Sequence, residues 1–292
     1  MVLVFGSINI DLIVPAPELP RPGETVLGGD YRLLPGGKGA NQALAARRAG
    51  SVVRMAGAVG KDAFAGAALE LLRQDGVDLA LVRQVEQPTG LASIIVDTGG
   101  ENLIAVASGA NAAVTAAIVP DEMLGPQTIV LCQMEVPPAE TAALIHRART
   151  RGSRCILNLA PALPIDRDLF GDLDLLVANE AEAATLVEDP AAIAQRLRQV
   201  LVVTRGAAGS TVFLRDGGQL DIPALTIEAV DTTGAGDTFC GVLAAALDQG
   251  YSLNMALRRA SSAGGLACRA RGAQTAMPDA AAIDVAAARL PQ

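Results

Sequence analysis

The sequence predicts an α/β fold: a mostly parallel central sheet covered by helices on both faces, with a small separate β-sheet beside it. Three observations predict it. From Thr128 onward, short apolar runs alternate with helix-like segments, the rhythm of a parallel sheet with crossover helices. Glycine-rich turns stand where strands give way to helices, as in Gly36-Gly-Lys-Gly39 and Gly234-Ala-Gly236. Two stretches, about 10–34 and 90–107, are strand-like but carry no intervening helix.

The elements follow in order. Residues 2–5 form a short apolar strand stopped by Gly6. Residues 8–14 stay extended until Pro15, Pro17, Pro20 and Pro22 break the pattern. Residues 25–34 alternate loosely around Gly28, Gly29 and Tyr31, which suits an exposed strand pair. Residues 41–49, rich in Ala and Leu, read as a helix behind the first glycine turn. A strand over 52–58 and a helix over 63–75 come next. Strands over 91–97 and 102–107 flank Gly99-Gly100, a hairpin signal. Strands are predicted over 128–132, 155–158, 173–178 and 200–204, with helices over 138–151 and 180–186. Residues 209–214 and 219–222 read as a hairpin, and 236–249 and 255–269 as two Ala-rich helices. The whole chain, 1–292, reads as one domain. The 10–34 and 90–107 stretches form either a lid over a ligand cleft or an extra edge sheet with no moving role; strand pattern alone does not separate the two.

Composition excludes several functions. Just over half the residues are apolar and the formal net charge is −8. Such a surface lacks the basic patch that nucleic acid requires. An anionic ligand is still admissible, because backbone N–H groups and Mg²⁺ can hold it. Cys132, Cys155, Cys240 and Cys268 lie among apolar residues with no CxxC spacing, as expected of reduced thiols in a cytoplasmic protein. The single histidine, His146, lies in a helix-like run and reads as a surface residue; its isolation nearly excludes His-based zinc sites and Ser-His-Asp chemistry. The N-terminus enters a strand at once, without the pattern of a signal peptide, and no apolar run is long enough to span a bilayer.

The segment Val230-Asp-Thr-Thr-Gly-Ala-Gly-Asp-Thr-Phe-Cys-Gly241 carries the chemistry. Gly234 and Gly236 open backbone conformations closed to other residues. A helix starting near Gly236 leaves consecutive N–H groups facing outward, an anion site strengthened by the helix dipole. Asp237 in the first turn can take a proton from a substrate hydroxyl. A general base beside an anion hole is what phosphoryl transfer to an alcohol requires. An Asp in a first helical turn is also common for dipole reasons alone, so the joint pattern from Asp231 to Asp237 carries the argument.

The other polar positions read two ways each. Gly36-Gly-Lys-Gly-Ala-Asn-Gln42 is not a P-loop. Its glycines admit close approach of a polyhydroxy ligand, with Lys38 and Asn41 as donors; it is equally a tight turn feeding a helix. Asn9 and Asp11 share one strand face and can grip adjacent hydroxyls, or form a solvated face. Glu135 lies near the carboxyl edge of a parallel strand, where α/β sheets bind ligands. Asn179 can cap the next helix or meet phosphate, with Glu182 steering water-bound Mg²⁺. Thr204-Arg-Gly206 is a nucleotide contact or a simple bend.

These segments together resemble the ribokinase-like (PfkB) family of carbohydrate kinases. The resemblance runs through Gly6-Ser-Ile-Asn-Ile-Asp11, Pro22-Gly-Glu-Thr25, Gly36 to Gln42, Gly100-Glu-Asn102, Gly109-Ala-Asn111, Gln133-Met-Glu135, Asn158-Leu-Ala-Pro161, Asn179 to Glu182, Asp231 to Asp237 and Gly272-Ala-Gln274. It implies a three-layer α/β/α domain with a β-sheet lid, a homodimer clasped through the lids, and phosphorylation of ribose at O5 by MgATP. It implies Asp237 as the base, with Gly234, Ala235 and Gly236 as the anion hole. Asn9, Asp11, Gly37, Lys38, Asn41 and Glu135 would hold the sugar, and Asn179, Glu182, Thr204 and Gly206 the nucleotide or its Mg²⁺. It implies K⁺ activation, with the Asp231 carboxylate and the Thr233 carbonyl as ligands and others around 269–274. Three features depart from the family pattern: a shortened stretch between Asn179 and Thr204, which trims one helical excursion; Cys240 where Asn is usual; and Ser108 before Gly109-Ala-Asn111. The alternatives are a sibling kinase for another sugar or a nucleoside, and a non-catalytic sugar-binding regulator, which would be expected to have lost Asp237.

Overall fold

The computed structural model describes residues 1–291. The first apolar run forms β1 (Val2–Phe5); the chain then enters β2 (Asn9–Pro15) and, after an irregular excursion, β3 (Arg32–Gly36). The glycine turn opens α1 (Lys38–Arg48), followed by β4 (Val53–Gly60). Next come α2 (Ala63–Ala68), capped by the Asp62 carboxylate, and α3 (Glu70–Gln74). β5 (Asp78–Val85), β6 (Gly90–Val96), β7 (Asn102–Ala107) and β8 (Ile129–Cys132) follow. α4 (Pro138–Thr150), β9 (Arg154–Asn158), β10 (Leu175–Asn179), α5 (Glu180–Ala184), α6 (Pro190–Arg196) and β11 (Val200–Thr204) complete the alternation. The hairpin β12 (Ser210–Leu214) and β13 (Gln219–Ile222) precedes α7 (Ala235–Asp248), α8 (Leu253–Ala267) and α9 (Ala280–Arg289).

Nine strands form the main sheet in the order β13-β12-β11-β10-β9-β8-β1-β4-β5. From β11 to β5 all neighbours run parallel, and only the hairpin is antiparallel. Successive strand residues serve opposite faces. Val2 and Val4 pack with Leu44 of α1 and Leu243 of α7, whereas Leu3 and Phe5 pack with Leu144 and Ile145 of α4. That two-sided burial makes three layers, helix on sheet on helix, and explains why the strands read as unbroken apolar runs.

β1 has β4 on one side and β8 on the other. The order of connection reverses here, so the loops leaving β1 and β8 part and leave a crevice at the carboxyl edge. The second sheet, in the order β3-β2-β6-β7, joins two antiparallel pairs through parallel β2 and β6. β2 and β3 connect β1 to α1, so this small sheet is rooted at the mouth of that crevice.

Some elements differ from expectation. Strand structure within 25–34 begins only at Arg32, because β2 pairs with 32–36 and residues before it find no partner strand. The helix over 63–75 divides at Leu69 into α2 and α3. β5 was not anticipated: it has one neighbour in the sheet, and Asp78, Arg83 and Gln84 break its apolar signal. α6 fills part of the stretch that looked trimmed, started by Asp189 and Pro190. α9 is capped by Asp279. Among the described residues no helix is long and apolar enough to cross a membrane.

Candidate active site

Asp237 lies in the first turn of α7 and is 8% exposed. Its two oxygens take different donors from α1. Asn41 Nδ2 donates to Oδ2 at 2.9 Å, and Gln42 Nε2 donates to Oδ1 at 3.0 Å. The helices meet closely because Gly241, one turn beyond Asp237, has no side chain; a Cβ there would lie 2.4 Å from the Gln42 carbonyl oxygen. The first turn of α1 is thereby pressed against the first turn of α7.

The start of α7 has the geometry of an anion site. Gly234 caps it in the left-handed region, at φ 74°. The Ala235 N–H donates to the Thr232 carbonyl at 3.2 Å. The N–H groups of Gly236 and Asp237 have no protein acceptor and are free for an anion at the positive end of the dipole. Gly236 is an ordinary helical residue without positive φ, so its conformation is open to other side chains. What it contributes is open space, since a Cβ there meets nothing within 4 Å.

In front of this turn is a cleft of about 220 Å³, lined by Lys38, Asn179, Glu182, Thr204, Gly236 and Asp237 among others. Lys38 makes no ion pair there; its pKa is raised chiefly by the Asp237 charge, then Glu135, against burial that lowers it. A cation so placed suits a phosphate. Asn179 and Glu182 form a reciprocal cap on α5: Asn179 Oδ1 accepts from the Glu182 N–H, and Glu182 Oε2 accepts from the Asn179 N–H, both at 2.8 Å. Burial raises the Glu182 pKa, and the nearby Asp237 charge adds to this. Gly206 lies beyond the cleft lining, in the turn after β11. A larger depression of about 1000 Å³ behind residues 225–230 contains none of these groups.

The other side of Asp237 faces the small sheet. Glu135 accepts hydrogen bonds from the Lys38 N–H at 3.0 Å and from the Ser7 hydroxyl, which joins the β1, β8 and α1 turns. Asn9 Oδ1 accepts from Asn111 Nδ2 at 2.6 Å, which turns the Asn9 amide nitrogen outward. Sequence reasoning treated Asn111 as family pattern only; its partner lies 102 residues away, and no local signal could reveal it. Asp11 lies against Gly36 with no protein donor. Burial first, then the charges of Glu135 and Asp237, push its pKa up to about 6.

That raised value makes a prediction. The folded protein holds the Asp11 proton more tightly than the unfolded chain, so this group favours folding at acid pH and the contribution is lost as pH rises through about 6. Asp11→Asn raises the melting temperature of the ligand-free protein at pH 8, and the gain shrinks as pH falls below about 6. Thermal melts across pH check this; a gain independent of pH contradicts it.

Asp231 ties the segment before α7 to the turn after α8. Its Oδ1 accepts from the Thr233 N–H and hydroxyl, and its Oδ2 from the Gly272 N–H at 2.9 Å. Burial raises its pKa, but these hydrogen bonds outweigh burial and hold the carboxyl below its ordinary value. The Thr233 carbonyl receives no hydrogen bond from the start of α7. Among the described residues no cluster of three or more His, Cys, Asp or Glu could hold a metal by itself.

The chain is 37% identical over 283 residues to the ribokinase of Lactococcus lactis, covering 95% of this chain and 93% of that protein. The ribokinase structure from Thermotoga maritima superposes with a TM-score of 0.91 at 28% identity, covering 98% of both chains. The Arabidopsis thaliana ribokinase complexed with ribose and ATP gives a TM-score of 0.89 at 30% identity, again covering 98% of both. Residues 1–280 match the model of the pfkB family of carbohydrate kinases, and the chain belongs to that family.

Proposed function

We propose that this kinase transfers the γ-phosphate of ATP to the 5-hydroxyl of ribose, with Asp237 as the base. One observation carries the reading: a buried carboxylate, held through both oxygens, sits beside two free N–H groups at a helix start. The donors on Asp237 leave lone pairs on its oxygens for the substrate hydroxyl. Asn9, Asp11, Gly37, Asn41 and Glu135 border the sugar. Lys38 lies between sugar and nucleotide and offsets charge on the phosphoryl group in flight. The Gly236 and Asp237 N–H groups stabilise that charge further; Gly234 and Ala235 shape the turn that presents them. Asn179, Thr204 and Gly206 border the nucleotide. As the hydroxyl oxygen attacks the γ-phosphorus, the bond from that phosphorus to the β–γ bridging oxygen breaks, ADP leaves, and the hydroxyl proton passes to Asp237.

Mg²⁺ would be held by the nucleotide's own phosphates, with Glu182 contacting its water shell; when bound it neutralises phosphate charge. K⁺ would be held by the Asp231 carboxylate and the free Thr233 carbonyl, with carbonyls from 269–274. The small sheet serves as a lid that dries the cleft. It also presents Leu103, Ile104 and Val106, which are exposed, and these fit a homodimer joined lid to lid. Four free buried thiols fit a reducing cytoplasm.

Ribose is favoured over a nucleoside because aromatic side chains that could stack on a second base are scarce: the chain has no Trp, two Tyr and five Phe. Turnover of ribose, deoxyribose, fructose and adenosine, with and without K⁺, tests the proposal. Ribose should give the highest kcat/KM, and faster turnover of adenosine than of ribose would refute it.

A further inference from the structure

Asp237 is gripped by two amides, and each amide is itself gripped from behind. Gln42 Oε1 accepts from Gln133 Nε2 at 2.7 Å. Gln42 Nε2 divides its two hydrogens between Asp237 Oδ1 and Asn158 Oδ1, each at 3.0 Å. On the other oxygen, Asn41 Oδ1 accepts from Gln274 Nε2 at 3.1 Å. Gln42 and Gln133 are 0% exposed and Gln274 is 1% exposed.

The direction of these bonds is dictated by the carboxylate. An ionised carboxylate only accepts, so Gln42 must turn its nitrogen toward Asp237. Its oxygen then faces Gln133, which must donate. Gln133 is left with its own Oε1 buried and without a partner, and Gln274 Oε1 is left in the same condition. An unpartnered buried carbonyl is a standing destabilisation. Two such carbonyls, one at the outer end of each arm, would be avoided by an apolar core of the same shape. Stability alone gives no reason for them.

We propose that Gln42, its amide held from behind by the buried Gln133, is a positioning residue that fixes the plane of the Asp237 carboxylate for proton abstraction. The inference rests on Asp237 acting as the base, as proposed above. The bond to Oδ1 prevents rotation about the Cβ–Cγ bond, while the Asn158 bond stops Gln42 from swinging away. Asn158 is held in turn through Nδ2, which donates to the Val177 carbonyl at 3.2 Å. The base is thus braced against β9 and β10 as well as α1.

The test uses Gln42→Glu and Gln133→Met in the full-length protein, with ribose and ATP. Gln42→Glu keeps the shape but sets a second carboxyl against Asp237, so the pair shares a proton. The acid limb of the kcat–pH profile should move up by about one pH unit or more, with the ribose KM within about threefold of wild type. The other charged or titratable groups around Asp237, namely Lys38, Asp11, Glu135, Glu182 and Cys240, are unchanged in this variant, so the displacement reports residue 42. Gln133→Met removes the donor behind Gln42 without adding charge, and holds the proposal testable if Gln42→Glu does not fold. It should lower kcat about five- to tenfold at unchanged KM, the scale of one hydrogen bond. A wild-type acid limb in Gln42→Glu, or a wild-type kcat in Gln133→Met, overturns the positioning role alone. Failure of the wild-type protein to phosphorylate any sugar overturns the proposed function and this inference with it.

Discussion

Asp237→Asn lowers kcat by about 10²–10⁴-fold, the range for a positioned general base, and changes ribose and ATP KM far less. The substitution is nearly isosteric, so the contact between α1 and α7 at Gly241 persists. The amide, however, has one oxygen where the carboxylate has two. Either Asn41 or Gln42 then faces an N–H instead of an acceptor, and a modest loss of stability accompanies the loss of rate. The two causes separate on pH dependence. If the base is gone, the residual rate loses its acid limb; if only geometry is disturbed, the limb stays. Initial rates across pH, with melting temperatures alongside, decide between them. Near-wild-type turnover would remove Asp237 from the mechanism.

A comparable loss comes from one methyl group at Gly234, through the fold. Gly234 sits at φ 74°, and a Cβ there would lie 2.7 Å from Ala273 Cβ and 2.9 Å from its Cα. Left-handed strain together with overpacking gives a destabilisation of about 2–4 kcal/mol for Gly234→Ala. The displaced neighbour is the residue before Gln274, which orients Asn41 against Asp237. The kcat should therefore fall together with stability. Gly236→Ala is the control two residues away. It has no positive φ and no neighbour in the way, so stability holds or rises by about 0.4–1 kcal/mol. Its methyl enters the cleft, so the nucleotide KM should rise. Urea denaturation and steady-state kinetics on both variants check the contrast. Equal stability of the two would show that the left-handed cap carries no strain.

Much of the site was legible in the sequence because its parts are local. The turn from Asp231 to Asp237 pairs a left-handed glycine with a helix start and an acid in the first turn, and each member lies within a few residues of the next. Asn179 and Glu182 form a cap whose spacing of three is itself the signal. The strands from β8 to β11 declared themselves as apolar runs because both of their faces are covered. Elements with weaker local signals were missed. β5 is an edge strand with polar residues in it, and α9 is Ala-rich without a marked apolar stripe.

From its sequence alone this protein is committed to an α/β kinase architecture with a glycine turn at Gly234 and a first-turn carboxylate at Asp237, since strand burial, turn conformation and helix capping depend on neighbours along the chain. Only the tertiary structure decided what grips that carboxylate. Asn41 and Gln42 reach Asp237 across 196 and 195 residues, and Gln133 reaches Gln42 across 91. The two contacts on Asp237 exist because α1 and α7 cross at a glycine, and Gln133 meets Gln42 because β8 ends beside β1 at the same crevice. A hydrogen bond between distant residues is fixed by where helices pack, and packing is a property of the whole fold.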